Sequence, residues 1–248
     1  SYPLRMTLLP RTRLCRRIAR QAAGVVFLRA PAGAGKSVLL EMIAKELGAT
    51  ICCTHQPRSD EVADGCLLWD VPVVARAVRM PASILESVRV LIIACRPDQR
   101  ISGLARQILH RGSLTIGPDE LALGNDEAES LPFEQRRIAL EDFAGWPAFL
   151  ALARQPDDSL CAEYLRENYL SHLSPGQTAE LCFWLEKPSA QPKAEWRDLL
   201  PPFLTGHPEQ HPTLIRLLTL AARERLAILQ AGNAVVEVAS AFERAGHS

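Results

Sequence analysis

Five short apolar runs mark the first half of the chain: "VVFLRA" (25–30), "TICCT" (50–54), "CLLWDV" (66–71), "RVLIIAC" (89–95) and "SLTIG" (113–117). None shows the two-residue alternation of a strand with one face in water. Unbroken apolar runs of this length suit strands whose sheet is covered by helices on both faces. Helical periods lie between several of them, at "SVLLEMIAKELG" (37–48) and "GLARQILHRG" (103–112). Ahead of the first run, "RTRLCRRIARQA" (11–22) predicts another helix. Leu14 and Ile18 are four apart, and Arg13, Arg16, Arg17 and Arg20 fall on the opposite face. Such a charge run usually solvates a helix face. A surface for phosphate, a partner or DNA is the sharper alternative.

Alternating strand and helix predicts an α/β fold with a parallel sheet. The stretch "HQPRSDEVADG" (55–65) only just reaches the ~10–12 residues of a parallel crossover. The sheet is expected to be trimmed there, or the crossover minimal.

After about residue 118 the pattern changes. "NDEAESL", "FEQRRIALEDFAGWPAFLALA" and "AEYLRENYLSHL" carry helical periods, and no strong strand run follows. "KPSAQPKAEW" and "LPPFLTGHPEQHP" read as Pro-rich connectors, and 213–245 is nearly all helix formers. The expected organisation is an α/β half of ~120 residues followed by an all-helical half, each of ordinary domain size.

Composition narrows the function. The 248 residues carry 28 basic and 28 acidic side chains, a formal net charge of zero. Bulk attraction to nucleic acid or an anionic membrane is therefore not encoded. No apolar run approaches the ~18–20 residues of a membrane span, and the N-terminal stretch does not read as a signal peptide. No membrane partner and a cytoplasmic location are expected. The seven cysteines, Cys15, Cys52, Cys53, Cys66, Cys95, Cys161 and Cys182, form no C-x-x-C pair. They read as small buried hydrophobes rather than disulfides or zinc ligands.

One motif carries chemistry. "APAGAGKS" (30–37) fits the phosphate-loop pattern G-x-x-x-x-G-K-[ST], with Ala30 in place of the first glycine. Gly33 and Gly35 let the backbone turn tightly and approach a phosphate. The amides of Ala32 to Val38, through Ala34, lead into a helix N-terminus and supply convergent donors. Lys36 brings a mobile charge for the β- and γ-phosphates, and Ser37 a hydroxyl for Mg²⁺. "CLLWDVP" then supplies Asp70 as a metal-orienting acid. The next position, where a water-activating acid would help hydrolysis, is Val71. Asp60, Glu61 and Asp64 read as a polar loop. "RVLIIACRP" ends in Arg96, which either senses a γ-phosphate or is a surface arginine before a proline. His207 and His211 are four apart, but Pro208 and Pro212 interrupt a regular helix and further ligands are missing. Trp146, Trp184 and Trp196 read as core anchors.

Together these stretches resemble the nucleotide-binding module of STAND-class P-loop ATPases, specifically LuxR-type, MalT-like transcriptional regulators. "LLPRTRLCRRIA" (8–19) is similar to the family's lead-in, and "FLRAPAGAGKSVLL" to its Ala-Pro-Ala-Gly-x-Gly-Lys-[Ser/Thr] loop, in which Ala30 is normal. "LLWDVP", "LIIACRPD" and "LTIGPDELALGNDEAESL" resemble its acid strand, sensor strand and entry to the lid. "FAGWPAFLALA" (143–153) resembles its Gly-Trp-Pro motif. The likeness covers roughly 8–190.

It implies an ASCE-type P-loop domain over 1–118, a helical lid over 119–165 and a winged-helix-like arm over 166–248. It implies an ATP/ADP site with Mg²⁺ between the α/β domain and the lid. Ser37 and Asp70 would hold the metal, Arg96 would sense the γ-phosphate and Pro147 would close the lid. Closure would permit self-association under a small-molecule inducer or regulatory protein. Contact with DNA is expected only through a domain absent from this chain. Three departures stand out. Val71 replaces a second acid, the insert between Lys36 and Asp70 is short, and the chain carries neither the family's superhelical repeats nor a helix-turn-helix. Two other readings remain: a non-catalytic docking protein that keeps the fold, and an active kinase or motor ATPase using Arg100, Arg106 or Arg111 as a finger.

Overall fold

The computed structural model describes residues 11–20, 24–152, 157–186, 188 and 195–231. The chain forms two compact units. The first holds the described residues through Arg136 except Pro31–Gly33; the second holds Pro31–Gly33 and everything from Arg137 onward.

In the first unit the strands are β1 (Gly24–Arg29), β2 (Ile51–Cys52), β3 (Cys66–Asp70), β4 (Ala77–Arg79), β5 (Val90–Cys95), β6 (Arg100–Ser102) and β7 (Ser113–Ile116). Five form one sheet in the order β2-β3-β5-β1-β7, and every neighbouring pair is parallel. These are the five strands the apolar runs predict. Successive strand residues point to opposite faces, and both sets are buried. Val25, Leu67, Trp69, Leu91 and Ile93 share one core cluster with Val78, Met80, Ile84 and Leu104. The alternate residues Val26, Leu28, Leu68, Ile92 and Ala94 are buried as well. Double coverage is why the runs of β1, β3 and β5 lack alternation, whereas the edge strand β7 alternates, with Ser113 and Thr115 exposed and Ile116 buried.

The crossover from β2 to β3 is minimal. β2 keeps two residues, and its link to β3 holds one short 3₁₀ turn, Ser59–Glu61, with no α-helix. A second, two-stranded parallel sheet pairs β4 with β6, from Ala77 opposite Arg100 to Arg79 opposite Ser102.

The helices of this unit are α1 (Thr12–Arg20), α2 (Lys36–Leu47), α3 (Ala82–Leu85), α4 (Ala105–Arg111), α5 (Pro118–Leu121), α6 (Asn125–Ala128) and α7 (Phe133–Arg137), the last ending one residue across the division. On α1, Leu14, Cys15 and Ile18 are buried. Arg13, Arg16, Arg17 and Arg20 are exposed, and Arg17 pairs with Glu120. Arg11, 4% exposed, donates from Nε to Glu127 at 2.8 Å and from Nη2 to the Leu121 carbonyl at 2.8 Å. A buried guanidinium needs such partners, and they tie the start of α1 to α5 and α6. Helix α2 contacts β2, β3 and β5. It buries Leu39, Leu40, Ile43 and Ala44 and stops at Gly48, whose φ of 62° ends the helix in the left-handed region.

The second unit contains α8 (Pro147–Leu152), α9 (Asp158–Leu165), α10 (Pro175–Glu186), α11 (Pro202–Gly206) and α12 (Pro212–Ala231). Every described element here is helical. α12 lies against α9 and α10. An aromatic cluster joins Phe143, Trp146, Phe149, Tyr169 and Phe203, with ring centroids 5.3–6.2 Å apart. Apart from Pro31–Gly33, the units divide at 136/137, after the expected 118/119 and before the expected 165/166, so α5, α6 and most of α7 are grouped with the sheet. Parts of five expectations lie outside the described residues: 8–10 of the lead-in, 21–22 of the first helix, residue 153 of the Gly-Trp-Pro stretch, most of the connector 187–196 and 232–245 of the last helical stretch. No helix among the described residues is long and apolar enough to cross a membrane.

All seven cysteines are free thiols. Cys15, Cys52, Cys95, Cys161 and Cys182 are buried, whereas Cys53 is exposed.

Candidate functional site

The loop from Ala30 to Ser37 joins the C-terminal end of β1 to the start of α2. Two of its residues require glycine. Gly33 has φ +72° and Gly35 φ +80°, the region L side chains avoid. A Cβ on Gly33 would also lie 2.5 Å from both the Ala148 Cβ and the Tyr169 hydroxyl. Gly35 is the residue ahead of α2 and gives the helix no side-chain cap. Ala32 and Ala34 are buried, Val38 is half-buried and Ser37 is exposed.

Lys36 opens α2 and folds back over the loop. Its Nζ donates to the Ala30 carbonyl at 2.7 Å. The ammonium is held at a pKa of about 8. Burial presses it down most and the Arg96 guanidinium presses next, while the Asp70 carboxylate works in the opposite direction. Those same interactions place Lys36, Asp70 and Arg96 in one electrostatic neighbourhood.

The sheet explains the meeting. β5 lies between β1 and β3, with Asp70 opposite Ala94 and Arg29 opposite Cys95. The three strands therefore end level. Asp70 is the last residue of β3, Arg96 follows β5, and the loop follows β1. In an all-parallel sheet the C-terminal ends of the strands form the ligand edge. Lys36, Arg96 and the Asp70 carboxylate are gathered at that edge.

The position after Asp70 is not acidic. Val71 is 5% exposed, and its N–H donates to the Ala94 carbonyl at 3.0 Å. The nearby acids serve their own loop: Asp60 pairs with Arg58 at 3.1 Å, and Glu61 accepts the Arg58 N–H at 2.6 Å. Among the arginines considered as fingers, Arg111 donates to the Val88 carbonyl, and Arg100 and Arg106 are exposed.

In the second unit the Gly-Trp-Pro stretch starts α8. Trp146 is 2% exposed, and its Nε1 donates to the Ala32 carbonyl at 3.1 Å and to the Tyr169 hydroxyl at 3.0 Å. That hydroxyl donates in turn to the same Ala32 carbonyl at 2.7 Å. The Ala148 N–H donates to the Gly33 carbonyl at 3.1 Å. Pro147 stands between these two donor residues and is half-buried. Tyr169 has no signal in the sequence; it reaches Ala32 from 137 positions away.

The two histidines separate in environment. His207 lies beside Glu209 at 3.5 Å, whereas His211 is buried with its ring edge-on to Phe203 at 4.7 Å. Among the described residues no cluster of three or more His, Cys, Asp or Glu side chains is arranged to hold a metal ion. No protein-family model matches the chain, and no curated protein matches it.

Proposed function

We propose that this chain binds a nucleoside triphosphate with Mg²⁺ at the Ala30–Ser37 loop and uses it as a switch, with slow or no turnover. The Lys36 group carries this reading. A lysine ammonium is pressed down by burial and by a neighbouring guanidinium at the level ends of parallel strands. An incoming phosphate relieves both penalties, because it pairs with the two cations at once. Loop and α2 amides, from Ala32 and Ala34 through Gly35, Lys36, Ser37 and Val38, suit the same ligand. ATP and ADP are the natural choices.

Ser37 and Asp70 would hold the metal. Mg²⁺ is typically bound by one or two protein oxygens together with substrate phosphates and water, so this pair is a sufficient protein share. The ion would neutralise phosphate charge. Arg96 would distinguish a γ-phosphate from its absence. A buried valine after Asp70 cannot accept a proton from water, which favours holding over hydrolysis. Lid closure by Pro147, self-association, an inducer or regulatory protein, a cytoplasmic location and a DNA-binding domain elsewhere follow from the LuxR-type resemblance alone and are proposed on that basis.

The test is nucleotide content and affinity. Protein purified without added nucleotide is denatured, and any released ATP or ADP is identified. Wild type and Lys36→Ala are then titrated with each nucleotide and Mg²⁺. Binding by wild type and its loss in the variant support the switch. Failure of wild type to bind at millimolar concentrations overturns it in favour of a docking module. The Lys36 hydrogen bond to Ala30 already suits that second reading, since it lets the loop satisfy its own lysine.

A further inference from the structure

Gln99 is 1% exposed in the first unit, and both polar atoms of its side chain have partners. Its Oε1 accepts the Arg96 backbone N–H at 2.8 Å. Its Nε2 donates to the Pro72 carbonyl at 2.8 Å and to the Ala75 carbonyl at 2.9 Å. The orientation of the amide is forced, because a flipped group would set an oxygen against two carbonyls and an NH₂ against an N–H. Its own N–H donates to the Arg96 carbonyl at 3.2 Å, closing the turn 96–99. A nearby exposed tie, Arg76 with Asp98, adds little by comparison.

The placement is selective. Pro72 and Ala75 lie on the segment that leaves β3 after Asp70; Arg96 leaves β5. One buried amide therefore spans the two loops that carry the acid and the arginine. We infer that Gln99 is a positioning residue that fixes the backbone at Arg96 against the loop after Asp70 and so sets the aim of the arginine at a γ-phosphate. This deepens the nucleotide-binding reading and rests on it. Arg96 would have to reach a third phosphate whose location is set by Lys36 and the loop. A small backbone drift would leave the grip on the first two phosphates intact and spoil the third.

Affinities for ATP and for ADP, each with Mg²⁺, are measured by calorimetry for wild type, Arg96→Ala, Gln99→Leu and Gln99→Glu. Thermal unfolding of each variant is followed in parallel. Arg96→Ala should lower the ATP-over-ADP preference by about tenfold, the loss of one charge-assisted contact. Gln99→Leu should do the same while leaving ADP affinity within about threefold, a change under 1 kcal/mol. Gln99→Glu guards against a variant that fails to fold. It keeps the acceptor for Arg96, but sets a carboxylate against two carbonyls and is driven to take up a proton. Its ATP preference should therefore be low at pH 7.5 and recover toward pH 5.5, whereas that of wild type stays level. A merely structural glutamine would lower the melting temperature without moving the ratio. If Arg96→Ala lowers the preference and both Gln99 variants leave it unchanged, the role of Gln99 is overturned and the nucleotide site stands. If wild type binds no nucleotide or shows no preference, or if Arg96→Ala leaves it unchanged, the assignment of Arg96 falls and that of Gln99 falls with it.

Discussion

Lys36 shows at the scale of one residue how a site is paid for in advance. An exposed lysine titrates near 10.5; this one sits at about 8. The cause is first desolvation and then Arg96, and each penalises the charged form. A bound phosphate stabilises the charged form, so the bound pKa must exceed the free one. The sign follows directly. Below about pH 8 the free lysine already carries its proton, and affinity is level. Above it, binding must take up a proton from solution, and affinity falls by up to about tenfold per pH unit until the bound pKa is reached. Calorimetry of ATP binding at pH 8.5 in two buffers of different ionisation enthalpy should report uptake of a fraction of a proton in wild type. Equal heats in the two buffers, after dilution correction, would refute it. The motif spacing in the sequence foretells the lysine. It cannot foretell the depressed pKa, which comes first from burial and then from Arg96, 60 positions away in the chain.

At the scale of elements, legibility tracks burial. β1, β3 and β5 could be read because each is apolar on both faces, a pattern with few competitors; β7 alternates instead, exposed at Ser113 and Thr115 and buried at Ile116. β4 and β6 could not. Each is three residues long with mostly exposed side chains, so their local signal is no stronger than that of a loop. Their pairing depends on tertiary placement, including the Ser102 hydroxyl donated to the Val78 carbonyl. The phosphate loop is the opposite case. Its glycines are legible, and the structure adds a second reason for one of them. Gly33 combines a positive φ with a Cβ position already occupied by Ala148 and Tyr169. Gly33→Ala therefore incurs strain and a clash together and should destabilise the protein by about 2–3 kcal/mol. Gly35→Ala incurs the backbone term alone, on the order of 1 kcal/mol. Urea unfolding of the two variants checks the order; equal losses would show that the clash is relieved by movement of both Ala148 and Tyr169.

At the scale of the whole molecule, the loop is shared along the chain. Pro31–Gly33 are counted with the helical unit, and Ala30 and Ala34–Ser37 with the sheet unit. Within the second unit, Trp146, Tyr169 and Ala148 supply N–H or O–H groups to the carbonyls of Ala32 and Gly33. The Gly-Trp-Pro stretch announces Trp146 in the sequence, while Tyr169 follows it by 23 positions, in a stretch of π-helical turns, with nothing to single it out. Tyr169→Phe removes one of the two donors to Ala32 and keeps the stacked ring beside Phe149. It should cost about 1 kcal/mol of stability. Because Ala32 lies two residues ahead of Ala34 on the loop that would cradle phosphate, the same change should weaken ATP and ADP alike, by about three- to tenfold. Arg216→Ala serves as the comparison. It removes an exposed ion pair with Asp158 in the same helical unit, which solvent screens heavily, and should leave nucleotide affinity unchanged. Equal behaviour of the two variants would mean that the helical unit bears on the loop only through general stability. A selective loss in Tyr169→Phe would mean that one hydroxyl sets the posture of the phosphate loop.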